Sequence, residues 1–300
     1  MSNDSKTVLV TGGAGVMGRR LCKGLIDRGF EMRVLDRPGT KIEGVDADLR
    51  HGDITDPTAL KGLFEGIHTV YHLAAVLLPP DPSMFRTVNT EGTRNVVNAA
   101  LEAGCKHFVH VSSASVVYPF PTEYSLSKRE GEAIVKGQSQ MAWTIIRPTL
   151  VYDENGGIEF MKFLEFLKKF PVVPFIGEGR SLKNPVHTED IMEGLIAIAG
   201  NPKTHGKTYA FSGGEEISIR DLSRLMLKHQ GISKPFVSIP VWACQTLAWG
   251  LGKVTKQPPL TWQMIAGITQ DANLDHTNAS EDFGYKPMGV HEGFQKTWPV

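Results

Sequence analysis

The chain has 300 residues, 41% of them hydrophobic, and its basic and acidic side chains balance at 32 each. This composition is typical of a globular protein with a large core, and the balanced charge argues against a broad nucleic-acid-binding surface. The three cysteines, Cys22, Cys105 and Cys244, are far apart and form no Cys-x-x-Cys pair, so neither a zinc site nor a disulfide framework is expected.

The apolar residues are distributed as in a protein that stays outside the membrane. The first seven residues, MSNDSKT, are polar and lack the apolar stretch of a signal peptide. No apolar run reaches the roughly 18 residues that a membrane helix needs. We therefore expect a cytoplasmic protein with no membrane span, no bound metal and no nucleic-acid partner.

The first predicted element is a buried strand, residues 7–10, which leads directly into a glycine-rich turn and then a helix. Such a turn lets backbone N–H groups approach a pyrophosphate, which lies at the positive end of the helix. Two spacings fit this interpretation. Gly13, Gly15 and Gly18 match G-x-G-x-x-G, whereas Gly12, Gly15 and Gly18 match G-x-x-G-x-x-G.

The second predicted strand, residues 32–36, ends in Asp36, which lies 18 residues beyond Gly18. An acidic side chain at this position binds the ribose 2′-hydroxyl of a dinucleotide. A carboxylate there repels a 2′-phosphate, so NAD is favoured over NADP. The neighbouring Arg37 leaves alternatives open: its guanidinium stacks on adenine, neutralises a 2′-phosphate or is simply solvated.

Strands and helices continue to alternate through the first half of the chain. Strands are predicted before residue 52 and at 69–75, 106–115 and 143–152, with helices at 57–64, 88–104 and 123–137. This alternation predicts an α/β fold, a doubly wound parallel sheet of the Rossmann kind with helices on both faces. Ligands of such sheets bind beyond the carboxyl ends of the strands.

The pattern changes after residue 152. Helices are predicted at 158–170, 188–200 (with Thr188 as the N-cap) and 217–231, and the segment 207–214 is predicted to add a strand to the sheet. We interpret residues 1–152 plus about 185–215 as a dinucleotide-binding domain. We interpret the remaining residues, about 153–184 and 216–300, as a smaller mixed α/β substrate-binding region. Within it, segment 239–252 contacts a membrane or an apolar substrate or, as we favour, packs as a helix on this region.

The segment EYSLSK places Tyr124 four residues before Lys128, on one face of a predicted helix. A lysine one turn from a tyrosine lowers the pKa of the phenol and reaches the cofactor ribose, and the tyrosine then exchanges a proton with a substrate hydroxyl or carbonyl. Ser112 or Ser113, at the end of the fifth strand, can orient the substrate oxygen. Alternatively, Ser113 merely bonds to backbone.

With these motifs the chain resembles the extended short-chain dehydrogenase/reductase superfamily, NAD-dependent epimerase/dehydratase type, over nearly its whole length. The segments TGGAGVMG, GDITD, HLAA, VNTEGTRNVVNAA, VSSASVVY, YSLSK, RPTLVY and NPVHTEDI carry the resemblance. It implies that Tyr124 and Lys128 are catalytic, with Ser113 rather than Ser112 as their partner. It also implies NAD-binding roles for Gly12, Gly15, Val16, Met17, Gly18, Asp36, Arg37, Asp53, Ile54, Leu73, Ala74, Ala75, Asn89, Tyr124, Lys128, Pro148 and Thr149.

Residues that the sequence lacks reduce the number of reactions that the resemblance implies. Dehydratases of the family carry an Asp-Glu pair directly after the fifth strand, and here Ala114 and Ser115 occupy those places. Neither side chain is a general acid, so dehydration is disfavoured. Epimerisation and simple oxidation or reduction remain as hypotheses. Ser113 and Tyr124 are only 11 residues apart, a shorter separation than is usual in extended members, which leaves the shape of the pocket open.

Two substrate hypotheses follow. A nucleotide sugar, slightly favoured, needs cationic or polar groups for its diphosphate. An apolar alcohol or ketone, as used by hydroxysteroid-type dehydrogenases, would instead contact the region of Trp242 and Trp249. The candidate substrate contacts are Val76, Ser113, Arg180, Lys183 and His187.

Two further expectations concern the role and assembly of the chain. Some proteins with this fold are non-catalytic NAD(P)-binding structural or sensor modules, but they typically lose the Tyr or the Lys, so retention of both favours an enzyme. Members of the family commonly pair through two helices, here 85–103 and 124–136. Apolar residues beyond one core stripe of these helices predict a homodimer: Val97, Leu101, Ile134 and Val135.

Overall fold

A seven-stranded parallel sheet dominates the computed structural model, which describes residues 6–154, 157–255 and 260–299. Residues 1–5 of the polar N-terminal segment lie outside this part of the chain. The strands are, in chain order, β1 (Thr7–Thr11), β2 (Glu31–Asp36), β3 (Asp48–His51), β4 (Thr69–His72), β5 (His107–Val111), β6 (Ala142–Pro148), β7 (Val151–Tyr152), β8 (Val173–Ile176), β9 (Leu182–Lys183), β10 (Val186–His187), β11 (Lys207–Phe211), β12 (Ile217–Ser218) and β13 (Phe236–Ile239).

The large sheet has the order β11-β6-β5-β4-β1-β2-β3, and all its neighbouring strands are parallel. The winding reverses between β1 and β4, which opens a crevice beyond the carboxyl ends of these strands. The expected α/β doubly wound fold is confirmed, and the segment after residue 207 adds β11 to the sheet as predicted.

Helices cover both faces of the sheet because successive strand residues point to opposite sides. Val8 and Val10 of β1 pack on one face of the sheet, whereas Leu9 between them packs on the other. The face with Val8 and Val10 is covered by α1 (Val16–Ile26) and α5 (Thr188–Ile198), and the face with Leu9 by α2 (Thr93–Glu102) and α3 (Glu123–Lys136).

Two local predictions differ from the structure. The single helix predicted over 88–104 is a π-helical segment, Phe85–Gly92, followed by α2. The N-cap of α5 is His187, whose ring Nδ1 accepts the Glu189 backbone N–H at 3.2 Å, so the prediction of Thr188 as the cap was wrong. Thr188 is instead the first helical residue, and its hydroxyl donates to the Tyr152 carbonyl.

A second core lies beside the sheet and is rich in aromatic rings. It is built around Tyr152, Phe160 and Phe294, whose rings pack against one another with centroids 5.2–5.7 Å apart. The elements that supply it include α4 (Ile158–Lys169), α6 (Ile219–Lys228), a later helix α10 (Val290–Thr297) and the strand pairs β7–β10, β8–β13 and β9–β12.

The C-terminal part of the chain is divided between the two cores. Helix α9 (Thr277–Phe283) packs against β11 and α5, and Ala279 and Tyr285 are buried in the core of the large sheet. Residues 277–285 therefore pack with the sheet, although the sequence interpretation assigned 216–300 to the second region.

Helices α7 (Val241–Val254) and α8 (Trp262–Thr269) form a small apolar pair at the edge of the second core. Cys244 and Ala248 are buried against Ile265, which agrees with the favoured interpretation of a packed helix. The opposite face is open to solvent: the exposed fractions are 70% for Trp242, 59% for Trp249 and 53% for Trp262. Within the described residues, no helix combines the length and apolar character needed to span a membrane.

The apolar residues that suggested a dimer contact belong to the chain's own core. Val97 and Val135 are buried, and Leu101 and Ile134 pack partly buried against the same cluster. The helix face that these residues occupy is therefore not a spare surface. The homodimer stays a prediction, and light scattering at micromolar concentration tests it.

Candidate functional site

A cavity of about 1090 Å³ extends along the carboxyl ends of the large sheet. One end lies beyond β2 and β3 and is called the β2–β3 end; the other, beyond β5 and β6, is called the β5–β6 end. Most residues expected from the sequence line it: Gly12, Gly15, Val16, Met17, Gly18, Asp36, Arg37, Asp53, Ile54, Leu73, Ala74, Ala75, Val76, Ser113, Tyr124, Lys128, Pro148 and Thr149.

The glycine turn follows β1 and approaches two neighbouring segments closely. Gly12 has φ +71°, and a Cβ atom there would lie 3.0 Å from the Ala74 backbone. A Cβ atom on Gly18 would lie 2.4 Å from the Gly12 carbonyl oxygen. Gly13 packs against Val34 and does not line the cavity. Of the two spacings, the one that faces the cavity is G-x-x-G-x-x-G.

The N-terminus of α1 opens into the cavity. Gly15 is the N-cap, so no cap side chain accepts a hydrogen bond from the backbone N–H groups of the first turn. The first turn also contains no acidic residue. Its backbone N–H groups and the positive end of the helix dipole suit an anion such as a pyrophosphate. The donor set fits a dinucleotide at this point.

Asp36 fixes the loop at the β2–β3 end. Its carboxylate accepts the backbone N–H of Ala14 at 2.9 Å and that of Arg37 at 2.8 Å. Thr40 and Lys41 also line this end, and sequence reasoning missed both because they lie in a loop without a recognisable motif.

Asp53 and Asn89 are both hydrogen-bonded within the protein. Asp53 accepts the backbone N–H and the hydroxyl of Thr55 at 2.9 and 2.8 Å, and it also lines the cavity. Asn89 does not line it. Its side chain accepts the Val76 N–H at 2.8 Å and donates to the Val76 carbonyl and to Ser127, so it braces the loop after β4 against α3.

Tyr124 and Lys128 lie in the first half of α3, beside the carboxyl end of β5. The Lys128 ammonium donates to the Val111 carbonyl at 2.8 Å, and burial lowers its pKa to about 8 against the opposing effect of Glu132. Burial raises the pKa of Tyr124 above the usual phenol value, the Glu159 carboxylate adds to this rise, and Ser113 opposes it. The expected lowering of the Tyr124 pKa by Lys128 is thus not seen in the protein alone, because burial dominates.

The two serines after β5 have different partners. The Ser112 hydroxyl donates to the buried carboxylate of Glu132 at 2.7 Å. The Ser113 hydroxyl lies 2.9 Å from the Ser115 hydroxyl and accepts the Ser115 N–H at 3.2 Å, which caps the short turn that follows. Because Ser112 is committed to Glu132, the geometry favours Ser113 as the serine available to a ligand.

Three candidate substrate contacts lie away from the cavity. Arg180 is exposed and pairs with Glu178. The Lys183 ammonium is buried and donates to the carbonyls of Gly267 and Gln270 near the C-terminus of α8, and His187 caps α5. Trp242 and Trp249 do not line the cavity either. Arg180 is instead held by a carboxylate and Lys183 by backbone carbonyls, whereas Trp242 and Trp249 face solvent.

The lining of the β5–β6 end is mainly aliphatic, and sequence reasoning missed most of it. The polar side chains in this lining include Glu159, in the first turn of α4. The residue is accessible to solvent, but its carboxylate forms no hydrogen bond or ion pair with any residue that the structure describes, and partial desolvation raises its pKa. The sequence predicted a helix over 158–170 but did not single out this glutamate. The aliphatic residues are Val76, Leu77, Met84, Val88, Val151, Ile158 and Met161.

Comparison with known proteins was made on the whole chain. Residues 8–212 match the model of the NAD dependent epimerase/dehydratase family. A 3beta-hydroxysteroid-dehydrogenase/decarboxylase of Arabidopsis thaliana is 26% identical, with 96% of this chain and 78% of the relative covered. UDP-glucose 4-epimerase of Vibrio cholerae is also 26% identical, with coverage of 97% and 94%.

Among solved structures, the dTDP-glucose 4,6-dehydratase DesIV of Streptomyces venezuelae, with NAD and TYD bound, aligns with a TM-score of 0.76. Its sequence is 22% identical, and 97% of this chain and 95% of that chain are covered. This likeness concerns the fold.

Proposed function

The chain belongs to the NAD-dependent epimerase/dehydratase family, and from that premise we propose that it is an NAD-dependent oxidoreductase of a largely apolar, uncharged alcohol or ketone. The observation that carries the substrate class is the aliphatic lining of the β5–β6 end around Tyr124. An apolar pocket with few polar groups favours a ligand of the same character.

In this proposal the cofactor lies along the carboxyl ends of the strands. The N–H groups at the start of α1 bind the pyrophosphate, Asp36 binds the adenosine ribose, and Pro148 and Thr149 lie beside the nicotinamide. NAD is favoured over NADP because the Asp36 carboxylate repels a 2′-phosphate. When bound, the cofactor accepts or donates a hydride.

The proton is handled by residues of this chain. The phenol of Tyr124 exchanges a proton with the oxygen on the reacting carbon, as a general acid or base. Ser113 donates a hydrogen bond to that oxygen and holds it in place. Lys128, already fixed by the Val111 carbonyl, holds the ribose and adds a positive charge near the phenol.

Charge at the β5–β6 end argues against a nucleotide sugar. A diphosphate needs cations, preferably arginines. Among the described lining residues at this end, Lys128 is the cation, and it is accompanied by the carboxylate of Glu159. The two named relatives are equally similar and do not decide between the substrate classes, so the pocket chemistry does.

The test is Tyr124→Phe, with Tyr118→Phe as a matched control because Tyr118 lies outside the cavity lining. Turnover of cyclic secondary alcohols with NAD is expected to fall by about 10²–10⁴-fold in Tyr124→Phe, since the proton relay is lost. Cofactor affinity, measured by calorimetry, should stay within about twofold of wild type. Full activity in Tyr124→Phe, or turnover of UDP-glucose without turnover of any alcohol, would overturn the proposal.

A further inference from the structure

One carboxylate in the cavity has no partner. Asp36 and Asp53 also line the cavity, but Asp36 accepts the backbone N–H groups of Ala14 and Arg37, and Asp53 accepts the backbone N–H and hydroxyl of Thr55. Glu159 accepts none and forms no ion pair within the described residues, although it lies among Ile158, Met161 and other aliphatic side chains. A carboxylate in such surroundings keeps its full hydrogen-bonding capacity for a ligand.

The position of Glu159 is at the reacting end of the cavity. Its negative charge raises the pKa of two phenols, those of Tyr124 and Tyr118, so the carboxylate lies within electrostatic reach of both. Tyr124 also packs against Phe85, with ring centroids 6.0 Å apart. Tyr124 and Glu159 line one cavity, so a substrate that reaches the Tyr124 phenol also experiences the charge of Glu159.

A simpler role for Glu159 is that of an acid in the first turn of a helix, stabilised by the helix dipole. Glu165, on the same helix, is the comparison: both glutamates are accessible to solvent, but Glu165 does not line the cavity. Glu159 differs because its carboxylate faces an aliphatic cavity that also contains the tyrosine.

We propose that Glu159 is the specificity-determining residue of the β5–β6 end: its carboxylate excludes substrates that carry a negative charge near the reacting carbon and admits uncharged ones. The inference rests on the proposed function and deepens it. Like charges brought together in a partly desolvated site repel strongly, and no described neighbour neutralises Glu159.

The experiment uses two ketones of similar size that differ in charge: 4-methylcyclohexanone and 4-oxocyclohexanecarboxylate. Reduction by NADH is measured at pH 8 for the full-length wild type, Glu159→Gln and the control Glu165→Gln. In wild type and Glu165→Gln, kcat/KM should favour the neutral ketone by at least about tenfold. In Glu159→Gln the preference should fall by about tenfold, through a gain for the anionic ketone, while the neutral ketone changes little.

An unchanged preference in Glu159→Gln would overturn the inference, as would an equal loss for both ketones. If wild type reduces neither ketone, the proposed function fails, and binding decides the inference separately. Calorimetry with 4-oxocyclohexanecarboxylate and the protein–NAD complex should then show binding to Glu159→Gln that is about tenfold tighter than to wild type. Equal affinity, or binding to neither, would overturn it. Glu159→Ala replaces Glu159→Gln if the latter melts below wild type.

Discussion

The two ends of the cavity hold their carboxylates differently. At the β2–β3 end, Asp36 accepts two backbone N–H groups and Asp53 accepts the N–H and hydroxyl of Thr55, so both carboxylates help to fix the loops. At the β5–β6 end, Glu159 has no partner among the described residues. The Asp36 and Asp53 carboxylates therefore help to shape the cofactor site, whereas the Glu159 carboxylate is available to interact with a substrate.

A further carboxylate, that of Glu132 on α3, is also held by hydrogen bonds within the protein. The buried carboxylate of Glu132 accepts hydrogen bonds from Arg147 at 2.7 and 2.8 Å and from Ser112 at 2.7 Å. Burial by itself would raise the pKa of Glu132, but these bonds and the Arg147 charge lower it overall. This network ties α3, which carries Tyr124, to β5 and β6.

The largest effect is expected when this network is broken. Arg147→Ala leaves Glu132 buried without its main partner, which costs about 3–5 kcal/mol of unfolding free energy. Arg94→Ala removes an exposed pair with Glu91 and should cost at most about 1 kcal/mol. Urea unfolding of both variants tests the difference.

The same experiment has a pH dependence with a defined sign. The folded-state pKa of Glu132 lies below the ordinary 4.5, so its contribution is present above that value and is lost as the pH falls through the folded-state pKa. The difference in unfolding free energy between wild type and Arg147→Ala should therefore become smaller in acid. A gap that is small at pH 7, or that grows in acid, contradicts the role given to the network.

The next effect concerns the glycine turn. Gly18→Ala places a Cβ atom 2.4 Å from the Gly12 carbonyl oxygen, and the strain should cost about 1–3 kcal/mol together with most of the NAD affinity. Gly250→Ala, on the open face of α7, meets no atom within 4 Å and should stabilise by up to about 1 kcal/mol. Unaltered NAD binding in Gly18→Ala, measured by calorimetry, would remove the turn from the cofactor site.

A smaller effect is expected from charge at the β2–β3 end. Asp36→Asn keeps the side-chain shape but removes the repulsion of a 2′-phosphate, so the preference for NAD over NADP should fall by about tenfold, which is about 1.4 kcal/mol. Asp53→Asn should weaken the binding of NAD and of NADP to the same extent. Titration of each variant with both cofactors is the measurement, and tighter binding of NADP to wild type would shift the assignment to Arg37 and Lys41.

The smallest effect is on the stability of the β5–β6 end. Partial desolvation raises the pKa of Glu159, so its charged form destabilises the folded protein, and this loss sets in as the pH rises through the raised pKa. Because the Glu159 residue is accessible to solvent, which screens its charge, Glu159→Gln should be more stable than wild type at pH 8 by only about 0.5 kcal/mol or less, and equal to it at pH 4. Thermal melts at both pH values check this, and a variant that is less stable at pH 8 would contradict it.

The β2–β3 end was predictable because its chemistry is local in the sequence. Gly12, Gly15 and Gly18 follow one strand directly, and Asp36 ends the next, so spacing alone aligns them along the sheet. Tyr124 and Lys128 were found for the same reason, since four residues on a helix share a face.

The β5–β6 end depends on packing between distant segments. Glu159 reaches the cavity only because α4 packs against β7 and α6, and nothing in its local sequence distinguishes it from Glu165. Lys183 is the converse case: its residue type suggested a diphosphate contact, but carbonyls near the end of α8, more than 80 residues later, hold its ammonium. Val97 and Val135 were misjudged because a helix between two apolar neighbours has no single inner face.

The exposed indoles of α7 and α8 have a practical consequence for spectroscopy. The chain has five tryptophans, and Trp242, Trp249 and Trp262 lie on this open surface, while Trp143 lies in the large sheet. These three indoles emit at long wavelength even in the native state, so their emission changes little on unfolding. The change in an unfolding curve followed by fluorescence comes mainly from Trp143, packed in the core of the large sheet, and Trp298, packed in the aromatic core. Coincidence of that curve with circular dichroism therefore measures whether the two regions unfold as one cooperative unit.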